Sequence, residues 1–303
     1  MLPAIPALLT ERLIQQYGEG LAREIEAGFV RRPVTLRVNT LRSTPEQVMA
    51  VLENAGIAYE RQSWYPDAFV LPGVREDAVQ SLPEYEAGHM YLQSLSSMMP
   101  ALVLSPKKGE SILDMAAAPG GKTTQMAALS GNAALITACE KNRIRADRLQ
   151  FNLDRQGASR VSVMCTDARQ LNDLFRFDKV LLDAPCTGSG TILIAEGEQE
   201  RRMTADWVAK TAKTQKAMLK KALTLLSAGH EMVYSTCSIL REENEEVLNA
   251  VLPGMNAEVV PIDPAALGLG AEQLLPVIVP GVVCVKPTAL HEGFFVAKIR
   301  KRK

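Results

Sequence analysis

The sequence predicts an α/β fold: a parallel sheet covered by helices on both faces, preceded by a small α+β unit. Three observations carry this. From residue 110 onward, short apolar runs alternate with amphipathic stretches of helical length, the rhythm of β-α-β connections. Residues 1–94 lack that rhythm. The 303 residues, 47% hydrophobic and 22% charged, suit a globular chain of about two domains. We therefore read residues 1–94 as an N-terminal helix plus a small domain, and 95–303 as the larger domain.

In chain order, residues 10–27 space Leu13, Ile14, Leu21 and Ile25 as one helix face. Residues 35–40 alternate as a strand. Thr44 and Pro45 read as the N-cap and first position of a helix that Gly56 closes. Residues 68–71 and 89–92 are short strands. Residues 111–115 form the first strand of the large sheet, followed by a glycine-containing turn and a helix through Leu129. Strands follow at 134–139, 161–165, 179–182 and 232–235, with helices at 141–156, 204–227 (closed by Gly229) and 241–251. The last strand is 294–299. Residues 253–288, rich in Pro and Gly, give no clear pattern.

Composition excludes several classes. No apolar run reaches the ~18 residues of a membrane helix. Met1–Pro6 has no basic start followed by an apolar stretch, so no secretory leader is read, and a cytoplasmic protein is expected. The five cysteines, Cys139, Cys165, Cys186, Cys237 and Cys284, contain no C-x-x-C pair, which argues against a disulfide framework and against a metal site. For Cys139, Cys165 and Cys284 the plain reading is a small buried hydrophobe. The net charge is zero but uneven: residues 1–95 carry eight Lys/Arg against twelve Asp/Glu, and residues 96–303 twenty-six against twenty-two. The helix with Lys141, Arg143, Arg145 and Arg148, and the tail from Lys298, read equally as phosphate contacts or as solvated surface.

Ligands of parallel α/β sheets sit beyond the carboxyl ends of the strands. The first such turn is Asp114-Met115-Ala116-Ala117-Ala118-Pro119-Gly120-Gly121-Lys122-Thr123. Its small residues admit a ligand to the backbone, and a helix N-terminus favours an acidic group. A phosphate-binding P-loop needs glycine where Ala116 stands, so a nucleotidase fits less well; an ordinary tight turn stays open. Acids end four strands: Asp114, Glu140, Asp167 and Asp183. Together they suit a ligand with a ribose, an adenine amine and a cation. S-adenosylmethionine has all three; NAD is the alternative, without its G-x-G-x-x-G signature.

Two cysteines follow strand tips, in Asp183-Ala184-Pro185-Cys186-Thr187-Gly188 and Ser235-Thr236-Cys237-Ser238. Neighbouring strands lie about 4.8 Å apart, so the two thiols can share one site. A thiolate is a nucleophile suited to covalent catalysis. Attack on carbon-6 of cytosine makes carbon-5 able to accept a methyl group, a base must then remove the carbon-5 proton, and Asp183 is placed to assist at the N3 edge. His230 lies at the far end of its strand, and the sequence shows no base for either thiol.

At these residues the chain resembles the Nop/Sun (Fmu-like) family of RNA cytosine-5 methyltransferases. The carrying segments are Phe177–Gly188, Ala116–Thr123, Tyr234–Ser238 with Glu242-Glu243-Asn244, Gly293–Ala297, and Leu36–Thr40 in the N-terminal unit. The resemblance implies a Rossmann-like, class I S-adenosylmethionine-dependent methyltransferase sheet with a small RRM-like domain. It implies Cys237 as nucleophile, Cys186 in release of the adduct, and Asp183 beside them. It implies cofactor contacts from Ala116, Ala117, Ala118, Pro119, Gly120, Gly121, Lys122, Glu140, Arg145, Asp167 and Asp183, and an RNA substrate, ribosomal or transfer. A monomer is expected. A non-catalytic RNA-binding protein on the same fold is the competing function.

Overall fold

The computed structural model describes residues 5–193 and 203–303; Met1–Ala4, on which the leader reading rests, lie outside them. In chain order the small unit contains α1 (Ala7–Ala27), β1 (Val34–Val38), α2 (Pro45–Asn54), β2 (Glu60–Arg61), β3 (Ala68–Leu71), α3 (Glu76–Gln80), α4 (Pro83–Glu86) and β4 (Met90–Leu92). The strands pair antiparallel in the order β2-β3-β1-β4. Thr44 caps α2 by accepting from the Gln47 N–H, and the Gln47 side chain accepts from the Thr44 N–H, the reciprocal cap its sequence calls for. Leu36, Val38, Val48, Leu52, Phe69 and Met90 form this sheet's core. α1 packs elsewhere. It kinks at Gly18, and Leu9, Leu13 and Ile25 enter the core of the larger sheet.

The larger body follows with α5 (Leu95–Leu104), β5 (Ser111–Asp114), α6 (Gly121–Leu129), β6 (Leu135–Cys139), α7 (Arg143–Gln156), β7 (Val161–Met164), β8 (Phe177–Asp183), α8 (Ala205–Leu225), β9 (Leu226–Thr236), α9 (Glu245–Val251), β10 (Ala257–Val260), β11 (Val283–Val285) and β12 (Phe294–Lys301). The order is β10-β12-β9-β8-β5-β6-β7, with β11 on β12. β9, β8, β5, β6 and β7 are parallel, as a Rossmann-like sheet requires. Successive residues feed opposite cores: Leu113, Val180 and Leu182 meet α1, α8 and α9, whereas Ile112 and Leu181 meet α5, α6 and α7. This period-2 burial on both faces is why the strands read as continuous apolar runs.

Several expectations need correction. β12 runs antiparallel to β9, so its first residue, Phe294, and not its last, lies at the ligand end of the sheet. The basic tail is thereby carried to the opposite end, where Lys298 and Arg300 pair with Glu231, and Arg302 with Glu258. α8 stops at Leu225; Leu226 and Ser227, read as the helix end, already belong to β9, which starts six residues before the strand expected at 232. The helix expected at 241–251 begins as a 3-10 turn over Arg241–Glu243. The unread segment 253–288 supplies β10 and β11, whose partner is the last strand; no local pattern marks pairing across so long a gap. Cys165, expected buried, is exposed, while Cys139 and Cys284 are buried.

One side chain of β1 and one just past its end bind the small sheet to the large body. Fully buried Arg37 donates to the Gln93 side chain at 3.2 Å and to Thr124 Oγ1 at 3.1 Å. Asn39 donates to the carbonyls of Gly88 and Gln156, both at 2.7 Å. Among the described residues no helix is long and apolar enough to cross a membrane, and no His/Cys/Asp/Glu cluster is arranged to hold a metal.

Candidate active site

A cleft of about 1400 Å³ opens between the two sheets at the carboxyl ends of the parallel strands. Asp114, Ala116, Ala117, Ala118, Pro119, Gly121, Lys122, Asp183 and Cys237 line it. Glu140, Arg145 and Asp167, predicted with them, are not part of this lining: Glu140 directly follows β6, Arg145 sits in the first turn of α7, and Asp167 follows β7.

The loop after β5 is shaped by buried polar contacts. Asp114 is 1% exposed; it accepts from the Thr123 hydroxyl at 2.7 Å, and the Ala116 N–H lies at 3.4 Å. Burial, with neighbouring Asp183, pushes its carboxyl up to about 6 despite the Thr123 bond. Gly120 caps α6 at φ 111°, and a Cβ there would meet Leu149 Cδ1 at 3.0 Å, so the position suits glycine. Asn152 donates to the Pro119 carbonyl at 2.8 Å and Arg145 to the Ala118 carbonyl at 2.9 Å. α7 thus fixes the loop from behind.

Lys122 spans the cleft, with Nζ 2.8 Å from both Asp183 Oδ2 and Ser97 Oγ and 5.6 Å from the centre of the Phe294 ring. Burial alone would lower its pKa; the Asp183 carboxylate outweighs this and raises it. Asp183 also accepts from Ser235 Oγ at 2.7 Å across the β8–β9 pair. Glu140, 4% exposed, accepts from the Asn142 N–H at 2.8 Å and pairs with Arg145 at 3.4 Å. Asp167 is held below the usual carboxylate range first by its hydrogen bonds from Arg169.

These donors and acceptors suit the groups of S-adenosylmethionine better than a polyphosphate. The α6 N-terminus offers N–H groups to a carboxylate, Glu140 and Asp167 carry acceptors of the kind that ribose hydroxyls and an amine donate to, and Asp114 with Asp183 gives the loop a negative surround. A sulfonium is welcome there and a triphosphate is repelled.

The two thiols meet. Cys186 Sγ lies 3.1 Å from Cys237 Sγ, both half-buried. In this pair a hydrogen bond from Cys186 lowers the Cys237 thiol below its ordinary value, against burial and Asp183, and Lys122 assists. The same bond, with burial, raises Cys186. The sequence showed no group that acts on either thiol; here the contact between the sulfurs and nearby Lys122 favour the ionised form at Cys237 over Cys186. No histidine takes part. His230 is bound to the Asp178 carbonyl at the start of β8, the far end of the sheet.

Sequence reasoning gave no role to the residues that hold this pair, although Glu243 and Asn244 stand in a segment that carries the resemblance. Glu243, fully buried, accepts from the Thr187 N–H at 2.8 Å and hydroxyl at 2.6 Å. Asn244 accepts from Thr236 Oγ1 at 2.6 Å and donates to the Ser238 carbonyl at 2.8 Å. Ser189 and Ser238 share a bond of 2.8 Å, and the Gly190 N–H donates to the Cys237 carbonyl at 3.0 Å. The available signal was an acid and an amide six and seven positions after Cys237, at a helix start.

Comparisons with known proteins follow this geometry. A family model described as "16S rRNA methyltransferase RsmB/F" matches residues 101–300. A second, described as "Methyltr_RsmF/B-like, ferredoxin-like domain", matches residues 5–75. The human 28S rRNA (cytosine(4447)-C(5))-methyltransferase is 35% identical, over 93% of this chain and 36% of that protein. Ribosomal RNA small subunit methyltransferase F of Shewanella sp. (strain ANA-3) is 34% identical, over 89% of this chain and 56% of that one. The chain thus spans only about a third to just over half of the length of these curated relatives. Among solved structures, a methyltransferase homolog protein from Pyrococcus horikoshii superposes with a TM-score of 0.83 at 34% identity, covering 97% of this chain and 94% of that one. NSun6 from Pyrococcus horikoshii with SFG gives 0.87 at 26% identity, covering 100% of both.

Proposed function

This chain belongs to the RsmB/F family of methyltransferases, and from that premise we propose that it methylates carbon-5 of cytosine in RNA through a covalent cysteine adduct. The observation that carries the reading is the thiol pair, 3.1 Å apart beside Lys122 and Asp183. The names of the curated relatives favour ribosomal over transfer RNA. We assign residues 1–94 to holding the RNA and residues 95–303 to the chemistry, in a monomer.

S-adenosylmethionine, held by the loop Ala116–Lys122 with Glu140, Arg145, Asp167 and Asp183, supplies an electrophilic methyl group. The protein prepares the acceptor. The Cys237 thiolate donates its electron pair to carbon-6 of cytosine, forming an S–C6 bond, and the 5,6 π pair moves to carbon-5. Asp183, fixed by Lys122 and Ser235, assists at the N3 edge of the ring. Carbon-5 would use the displaced pair to take the methyl as the methyl–sulfur bond of the bound cofactor breaks, its pair staying on sulfur. A base, water admitted to the cleft, then takes the carbon-5 proton, the C–H pair restores the 5,6 double bond, and the S–C6 pair departs with Cys237. Cys186, which bonds Cys237 before attack, is assigned to this release. The low-dielectric setting strengthens each of these charge contacts.

The test uses two variants, labelled cofactor and unfractionated ribosomal and transfer RNA. Cys237→Ala should abolish methyl transfer. Cys186→Ala should accumulate a protein–RNA complex that survives a denaturing gel. Normal turnover by Cys186→Ala, or trapping by Cys237→Ala, reverses the two roles. Bisulfite sequencing of cellular RNA with and without the protein identifies the cytosine.

A further inference from the structure

One face of α7 is spent on the interior: Ala146, Leu149, Asn152, Leu153 and Gln156 are buried. Its opposite face is unusual for a solvated helix. Ile144, Arg148, Phe151 and Arg155 recur at intervals of three and four, so they form one stripe. Ile144 is 80% exposed and Phe151 62%. The Arg155 guanidinium lies 4.6 Å from the Tyr85 ring centre and 5.7 Å from that of Phe151, bridging the small unit to the helix and fixing the edge of the Phe151 platform. Arg148, Phe151 and Arg155 line the same cleft as Cys237. Asn152, next to Phe151, is bonded to the loop carbonyl of Pro119, so the stripe is rigidly indexed to the methyl-transfer site.

The charges on this stripe are free. Among the described residues neither Arg148 nor Arg155 has a carboxylate within ion-pair distance, whereas Arg143 is paired with Asp147, and Arg145 with Glu140. Acids face the cleft from both sides: Glu76, Asp77 and Glu86 of the small unit stand there with Arg31, Arg32 and Arg75, and Asp114, Asp183 and Glu292 of the larger body with Lys122. What sets the α7 stripe apart is an exposed ring flanked by two guanidinia that have no carboxylate partner among the described residues. An aromatic face set between unpaired guanidinia is the combination that single-stranded nucleic acid uses, stacking on the ring and phosphate on the cations.

We infer that this stripe is a docking track for a single-stranded segment of the substrate RNA, with Phe151 stacking on an unpaired base near the target cytosine and Arg148 and Arg155 meeting its backbone. The inference rests on the RNA-methyltransferase reading and adds the path of the strand. It requires the target cytosine to lie in an unpaired stretch.

The test measures binding separately from chemistry. A short fluorescein-labelled single-stranded RNA is titrated with wild type, Phe151→Ala, Phe151→Trp and Arg148→Ala, and S-adenosylhomocysteine binding is measured on the same samples. Phe151→Ala should weaken RNA binding about ten-fold and leave S-adenosylhomocysteine binding unchanged, and Phe151→Trp should restore it. Arg148→Ala should lower the slope of log K against log salt by about one. An unchanged RNA affinity for Phe151→Ala overturns the inference. So does a parallel loss of S-adenosylhomocysteine binding, which marks a packing role, or a loss of self-association in place of RNA binding, which marks a protein-docking face. If wild type binds no RNA at all, the proposed function itself falls, a result distinct from these.

Discussion

The two halves of the ligand end of the sheet are built by different means. On the β5-β6-β7 side the site is made of backbone. A loop of small residues enters α6 through a left-handed glycine, and the acids at the strand tips are satisfied mostly by residues close in sequence, such as Asn142 for Glu140 and Arg169 for Asp167. On the β8-β9 side the site is made of side chains brought from a distance: Glu243 reaches Thr187 across 56 positions, and Ser189 meets Ser238 across 49. The first half can be loosened locally. The second is a connected buried network, in which one unsatisfied member disturbs the rest.

That contrast sets the order of expected effects. Replacing Glu243 by Gln keeps the volume but gives the Thr187 hydroxyl an amide nitrogen to face. Turnover should fall roughly ten- to a hundred-fold from misplaced thiols, with the KM for cofactor little changed, and stability should drop by about 1.5–3 kcal/mol. Steady-state kinetics and thermal unfolding measure both. A change confined to KM would remove the distinction between the halves. Replacing Glu140 by Ala should do the reverse, raising the KM for cofactor about ten-fold with kcat nearly intact; a collapse of kcat would mean that the cofactor side also positions the thiols.

The effect furthest from the chemistry is one of pH. His291, 2% exposed with neither ring nitrogen hydrogen-bonded, lies on the approach to β12, and burial with nearby Arg32 pushes it down to about 4 from 6.5. Its folded-state pKa is the lower one, so between about 4 and 6.5 the unfolded chain binds more protons. This group's contribution therefore rises with pH across that window, on the order of 3 kcal/mol in full. Asp114, raised to about 6, acts with the opposite sign over part of the same range. Melting temperatures of wild type and His291→Gln from pH 4 to 7 separate them. The variant should lose the upward slope, and an unchanged slope would show that His291 is not the group responsible.

What could be read in the sequence follows the same division. The turn after β5, the acids ending β6, β7 and β8, and the cap of α2 are local, and their residue types announce them. The placement of α1 in the larger core, the 3-10 start before α9, and the strands within 253–288 were not legible, because each is decided by a partner far away in the chain. The exposed stripe on α7 lies between. Its residues were visible as a basic helix, but which of its cations are left unpaired depends on where Glu140 and Asp147 point.

By itself, then, the sequence determined the five parallel strands, the end of the sheet at which their tips gather, and a cysteine just past each of two strand tips, since periodicity and turn chemistry act over a few residues. Only the tertiary structure decided that β12 runs backwards, that the basic tail points away from the cleft, and that the Cys186 and Cys237 sulfurs meet. Those depend on strand direction and on a separation of 3.1 Å between sulfurs 51 positions apart, which no local preference of the chain can fix.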